Sequence, residues 1–262
     1  RSKYYSMDIL TQFNSFILIL VRTASIIFFI PFLGARNVPK GFKVGLALFI
    51  SLILIGIVKV DATVMSADLL TLAAAIAGEI IIGFTLGLIA RLIFSAVEMA
   101  GEVMGVQMGF SIANVIDPQT SAHVPIIGHF QTILATLIFL SINAHHLFIA
   151  AIADSFALVP PMHFTLTQQM MNGIITMSRD MFILAIKIGA PVMVALLITN
   201  VALAVVSKTM PQMNIMIVSF PLTIAGGLLI MTLSLPLFAY MIQRAFEGMR
   251  GDVLNILNFM VR

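Results

Sequence analysis

The sequence predicts an all-α protein of membrane type, made of long helical hairpins with a broken, re-entrant stretch at its centre. Three observations carry that expectation. Of 262 residues, 60% are hydrophobic and only 10% charged, with a mean hydropathy of +1.11, whereas a soluble domain carries about a quarter charged residues. The apolar residues also recur in stretches of roughly twenty, the length of helix that crosses a ~30 Å hydrocarbon core. Between Gly101 and Pro125, glycines, polar residues and the pair Asp117-Pro118 interrupt that pattern without forming a hydrophilic linker.

The elements follow in order. The apolar run from Ile9 to Leu33 is broken by Pro31 and Gly34, and a basic link holding Arg36, Pro39, Lys40 and Lys43 comes next. Helix, breaker and basic loop is the plain reading. A second run, Val44 to Val60, leads to Asp61 and Asp68; Leu69 to Ala100 is then expected as one helix. That helix is too long for a perpendicular span, so it tilts or projects. Ile126 to Ala153 is expected as a further helix containing Asn143, His145 and His146, closed by Pro160-Pro161, with Met162 to Asp180 amphipathic and partly helical. Met181 to Val206, a Lys208-to-Pro211 corner and Met213 to Ile242 are expected to form a helical hairpin, followed by a mixed-charge tail. Orientation is half determined: the basic 34–43 link argues for the cytoplasm, yet strict alternation then puts the weakly basic tail outside. Either one segment does not cross, or the helices do not finally sit in lipid.

Composition also limits function. The formal charge of +3 arises from 14 basic and 11 acidic residues scattered singly, which is no footprint for nucleic acid. Without cysteine there is no thiolate nucleophile, disulfide framework or cysteine-based metal site. His145 and His146 are adjacent, so on a helix they diverge by about 100° and cannot chelate one metal as an i,i+4 pair does. Ser155 beside Asp154 lacks the setting of a hydrolase nucleophile. No metal, cofactor or catalytic residue is expected.

Three groups of residues stand out instead. Gly101, Gly105 and Gly109 recur every fourth position and make a smooth stripe on a helix, with Gly83 and Gly87 a shorter one upstream. Such stripes let backbones approach, within the chain or against partner subunits. Met104 and Met108 flank the stripe on one side with adaptable side chains, and Glu98 and Glu102 flank it on the other. Charges in apolar helices are functional candidates by default, which singles out Glu79, Arg91, Glu98, Glu102 and Lys187; Arg91 is the expected in-chain partner for Glu98. The stretch Phe110, Ser111, Ile112, Ala113, Asn114, Val115, Ile116, Asp117 and Pro118 joins apolar bulk to an Asp-Pro turn. Irregular backbone at membrane depth survives only where protein buries it or it lines an aqueous cavity, so this stretch suits a deformable seal. A proton-coupled secondary transporter, with Glu98 or Glu102 as the coupling carboxylate, is the alternative; it predicts an internal repeat that the sequence does not show.

Three ordered blocks bear on the choice: Gly101-Glu102 through Gln107-Met108-Gly109-Phe110 to Asp117-Pro118; Phe139-Leu140 with Asn143-Ala144-His145-His146, Ser155-Phe156 and Val159-Pro160; and Ala190-Pro191-Val192 with Pro211-Gln212-Met213-Asn214 and Phe220-Pro221-Leu222. Together they resemble the FliR family of the flagellar type III secretion apparatus, with injectisome counterparts also similar. The resemblance runs from about Met7 to the C-terminus. It implies one export-gate domain over 1–262: N-terminal helices and plug loop in 7–125, a central helix and amphipathic segment in 126–180, and a C-terminal hairpin in 181–262. It implies a FliP-like part joined to a FliQ-like part, and a non-enzymatic subunit of the bacterial inner membrane and flagellar basal body whose helices are raised out of the bilayer plane. FliP, FliQ and FlhB are the implied partners and exported flagellar proteins the implied cargo. The family's plug maps onto Phe110 to Pro118, with Met104 and Met108 adjacent to the pore and beside a methionine-rich gasket supplied by FliP.

Overall fold

The computed structural model describes residues 2–31, 38–58, 69–110, 125–210, 212 and 214–261. Among them the regular structure is helical throughout: α1 (Ser2–Phe29), α2 (Lys40–Leu54), α3 (Leu69–Met108), α4 (Ile126–Ser141), α5 (His145–Leu158), α6 (Gln168–Thr209) and α7 (Ile215–Phe259). Three of these, α3, α6 and α7, are long and apolar enough to cross a membrane.

Several boundaries differ from the sequence expectation. Helix α3 does not stop at Ala100 but runs through Gly101 and Gly105 to Met108, because packing rather than propensity decides a helix this long. The run expected as one helix over Ile126 to Ala153 is two, separated where Asn143 adopts φ 56°, a left-handed conformation that asparagine tolerates better than most residues. Lys40 and Lys43 lie in the first turn of α2 rather than in a loop, and Lys43 is buried with its ammonium 5.6 Å from the Phe28 ring centroid. Helix α6 absorbs part of the amphipathic segment and α7 the mixed-charge tail, while Pro191, Pro221 and Pro236 stay inside their helices as expected. One proline removes one backbone bond and clashes locally, which bends a packed helix without ending it. Asp61, Asp68, Pro211 and the stretch Ser111 to Pro118 lie outside the described residues.

The chain divides into two compact units. The first comprises Arg1–Leu92, Asn143–Met177 and Phe246–Arg262. Here α1 packs on α2, and α3 approaches α1 where Gly83 faces Ser25 and Gly87 faces Phe29. Phe29 meets Phe84 edge-on at 4.8 Å, and Leu18, Ile26, Ile27, Ile82 and Leu86 fill the core. The segment joining α5 to α6 is tied to the end of α7: Thr165 donates its N–H and hydroxyl to the Met260 carbonyl at 3.1 and 2.9 Å, and Thr167 its hydroxyl to Phe259. These bonds satisfy carbonyls that a helix end otherwise leaves open. Gly173 faces Ile256, so the first turns of α6 lie against the last turns of α7.

The second unit comprises Ile93–Ile142 and Ser178–Ala245. The end of α3 is its centre. Helix α4 crosses it at Gly101, α6 presents Gly189 near the Ala100 carbonyl, and α7 presents Gly227 and Thr223 to Met108. Phe94 and Phe139 extend the α3–α4 contact, 5.9 Å between ring centroids.

Candidate functional site

The glycines of the stripe behave differently from one another. A side chain on Gly101 would run into the first turn of α4, 2.7 Å from the Gly128 nitrogen and 3.0 Å from the Ile127 carbonyl carbon, so two backbones touch there. Gly105 has room, with Ile127 atoms 3.7 Å from where its Cβ would lie. Gly109 follows the last residue of α3 with φ +96°, a conformation that glycine adopts freely and other residues resist, and it turns the chain off the helix axis toward Phe110. Spacing alone makes these three positions equivalent; α4 distinguishes Gly101 from Gly105, and the backbone conformation sets Gly109 apart.

Met104 and Met108 are wholly buried. Within this chain they pack against its own helices. Gly227 leaves the space that the Met108 side chain fills, since a Cβ there would lie 2.7 Å from its Cγ and Cε. The Met108 carbonyl accepts a bond from the Thr223 hydroxyl at 3.1 Å. Phe110 is half-buried, and Ser111, Ile112, Ala113, Asn114, Val115, Ile116, Asp117 and Pro118 lie outside the described residues. The geometry thus defines the root of that stretch: a helix end enclosed by α4, α6 and α7, followed by a left-handed glycine.

Of the charged candidates, Glu79 is 1% exposed. Arg91, Glu98, Glu102 and Lys187 are all exposed, and none of the four enters an ion pair among the described residues. A long apolar helix buries only the face that packs, and these four stand on the faces left open. The buried partner of Glu79 is Arg22, a residue not singled out from sequence. Arg22 is 0% exposed; its Nε donates to Glu79 Oε2, and its Nη1 donates to the carbonyls of Ser155 and Val159, each at 2.8 Å. Its guanidinium lies 4.2 Å from the Phe156 ring centroid. One side chain therefore joins α1, α3 and the end of α5. The signal was present: Arg22 is the sole charge between Ile9 and Leu33, and an ionisable residue in such a run calls for a partner.

Ser155 is buried with its hydroxyl tied to the Ile152 carbonyl at 2.8 Å, and among the described residues no three His, Cys, Asp or Glu side chains converge as metal ligands do.

Against known proteins, residues 13–249 match the family described as bacterial export proteins, family 1. The chain is similar to the flagellar biosynthetic protein FliR of Bacillus subtilis, 34% identical over 259 residues that cover 95% of this chain and 97% of the relative. It is similar to the protein of the same description from Escherichia coli, 30% identical with 95% and 93% covered. The Aquifex aeolicus counterpart is also 30% identical, with 98% of each chain covered.

Proposed function

Because this chain belongs to the bacterial export proteins of family 1, the family that includes the flagellar FliR proteins, we propose that it is a structural, non-enzymatic subunit of the flagellar type III protein export gate. The near full-length match carries the reading: similarity that covers 97% of the relative concerns a whole architecture, not a shared segment.

The exposed surface supports it. In the most apolar windows of α6 and α7, only 28% and 22% is buried within the chain, against 56% for α3. Faces so apolar require lipid or other apolar helices as their surroundings. FliP-like, FliQ-like and FlhB-like subunits of the inner membrane fill that requirement in this reading, and unfolded flagellar proteins are the cargo. The exposed charges Arg91, Glu98, Glu102 and Lys187 then meet partner subunits or the aqueous path.

The stretch Phe110 to Pro118 is the plug. Its first residue follows a left-handed glycine at a buried helix end, which would anchor the stretch at its root. Deleting residues 110–116 should raise the small-solute permeability of cells carrying the gate, with recovery of the assembled complex unchanged. Intact assembly with unaltered permeability would remove the plug role. Purification of the chain without other membrane subunits, as a monomer or homodimer, would remove the gate reading itself.

A further inference from the structure

Within the first unit, α5 and the last turns of α7 meet along a cleft with an apolar floor and a charged rim. Phe148 and Ala151 of α5 and Met249 and Val253 of α7 form the floor and are buried, while Asp154 stands half-buried and Arg250 exposed at the rim. Ala151 and Asp154 are three residues apart, as are Arg250 and Val253, so each helix turns one apolar and one charged side chain to the same opening. The two charges are opposite in sign and line one cleft. Neither makes an ion pair or a hydrogen bond with the other, or with any other described residue.

Hydrocarbon alone is a poor cover for such a surface: it suits the floor but leaves both charges in apolar surroundings, where each is costly. Water suits the charges and leaves apolar walls wet. A third helix satisfies both, because two packed helices leave between their ridges a hole for one side chain of a neighbour, and residues a turn away can carry the counter-charges. We propose that this cleft docks an apolar helix of another subunit, which sets one aliphatic side chain over Ala151 and presents a basic residue to Asp154 and an acidic residue to Arg250. The inference rests on the subunit reading above and adds where on the chain, and by what chemistry, a partner is held. The paired charges fix the register of that helix, since sliding it along the cleft leaves both unmatched.

Ala150, exposed and lining the same cleft, is the place for a photoreactive side chain. The purified multi-subunit complex carrying Ala150→p-benzoylphenylalanine, illuminated and digested, should yield an adduct on an apolar helix of another subunit, with a basic and an acidic residue within about two turns of the attachment point. Asp154→Lys should lower the adduct yield per recovered complex roughly fivefold, the weight of one partly exposed charge pair, and reversing the mapped basic residue to glutamate should restore it. Arg250→Glu should behave likewise toward the mapped acidic residue. If Asp154→Lys lowers recovery of the complex, Asp154→Asn is read in its place. An adduct on phospholipid, no adduct, or a yield indifferent to both charge variants overturns the proposal. So does restoration by joining Asp154→Lys to Arg250→Glu in this chain alone, which would show that the two charges serve each other. All four are read on the assembled complex and leave the gate reading intact, whereas a chain recovered without other subunits removes both.

Discussion

Glu79→Ala should lower the thermal midpoint of the purified protein by on the order of 10 °C and sharply reduce its accumulation in membranes. The reason is asymmetry. Removing one partner of a buried ion pair costs about 3–5 kcal/mol, because the other charge stays behind without compensation. Arg22 is 0% exposed and enclosed by α1, α3 and the end of α5, so it has no water to turn to. Arg22→Ala should be at least as severe, since it leaves Glu79 unpaired and also withdraws the donor from the carbonyls of Ser155 and Val159. Exchanging the two charges should fail to rescue. A glutamate at position 22 has no proton for those carbonyls, and an arginine at position 79 would face them from the wrong helix. Arg22→Lys should rescue only in part, because an ammonium lacks the planar fork that reaches three acceptors at once. Full recovery in the exchanged variant would show that charge balance alone holds this core.

The architecture was legible because apolar runs of this length dictate helices, and the helices α3, α6 and α7 stand close to where the runs lie. What sequence could not supply were features whose causes are tertiary. The spacing marks Gly101 as a position of close approach, but not that α4 is what approaches or that Gly101 rather than Gly105 is the point of contact. Thr223 in an apolar helix carries no signal at all, since its second acceptor is 115 residues away. Asn143 reads as a residue inside one helix, whereas its left-handed backbone lies between two. Arg22 is a different case: the rule that selected Glu79 applies equally to a lone charge in the first apolar run, and its application there would have found the pair.

Gly101→Ala and Gly105→Ala should have opposite signs, although the two glycines are one turn apart in one helix. In both, alanine favours the helix by about 1 kcal/mol over glycine. At Gly105 the new methyl enters ordinary contact with Ile127 at 3.7 Å, so the variant should be unchanged or slightly more stable. At Gly101 the methyl meets backbone atoms of α4, which cannot rotate away, and α4 must shift as a body. Gly128 allows no retreat in register either, since it is itself pressed toward the Glu98 carbonyl, 3.1 Å from where its own Cβ would lie. Overpacking of this kind costs about 1–3 kcal/mol, and Gly101→Val should reach the upper end. Thermal unfolding of the three variants checks the ranking, and equal destabilisation by Gly101→Ala and Gly105→Ala would mean that the α3–α4 crossing is not the contact that matters. The crossing also bears on the proposed plug. Met108 fixes where the plug stretch leaves α3, and Gly128 fixes where the chain re-enters a helix at α4. A displaced α4 moves the return point, so Gly101 variants should lose stability and leak together. Wild-type permeability in a destabilised Gly101→Val complex would show that the return point does not bear on the proposed plug.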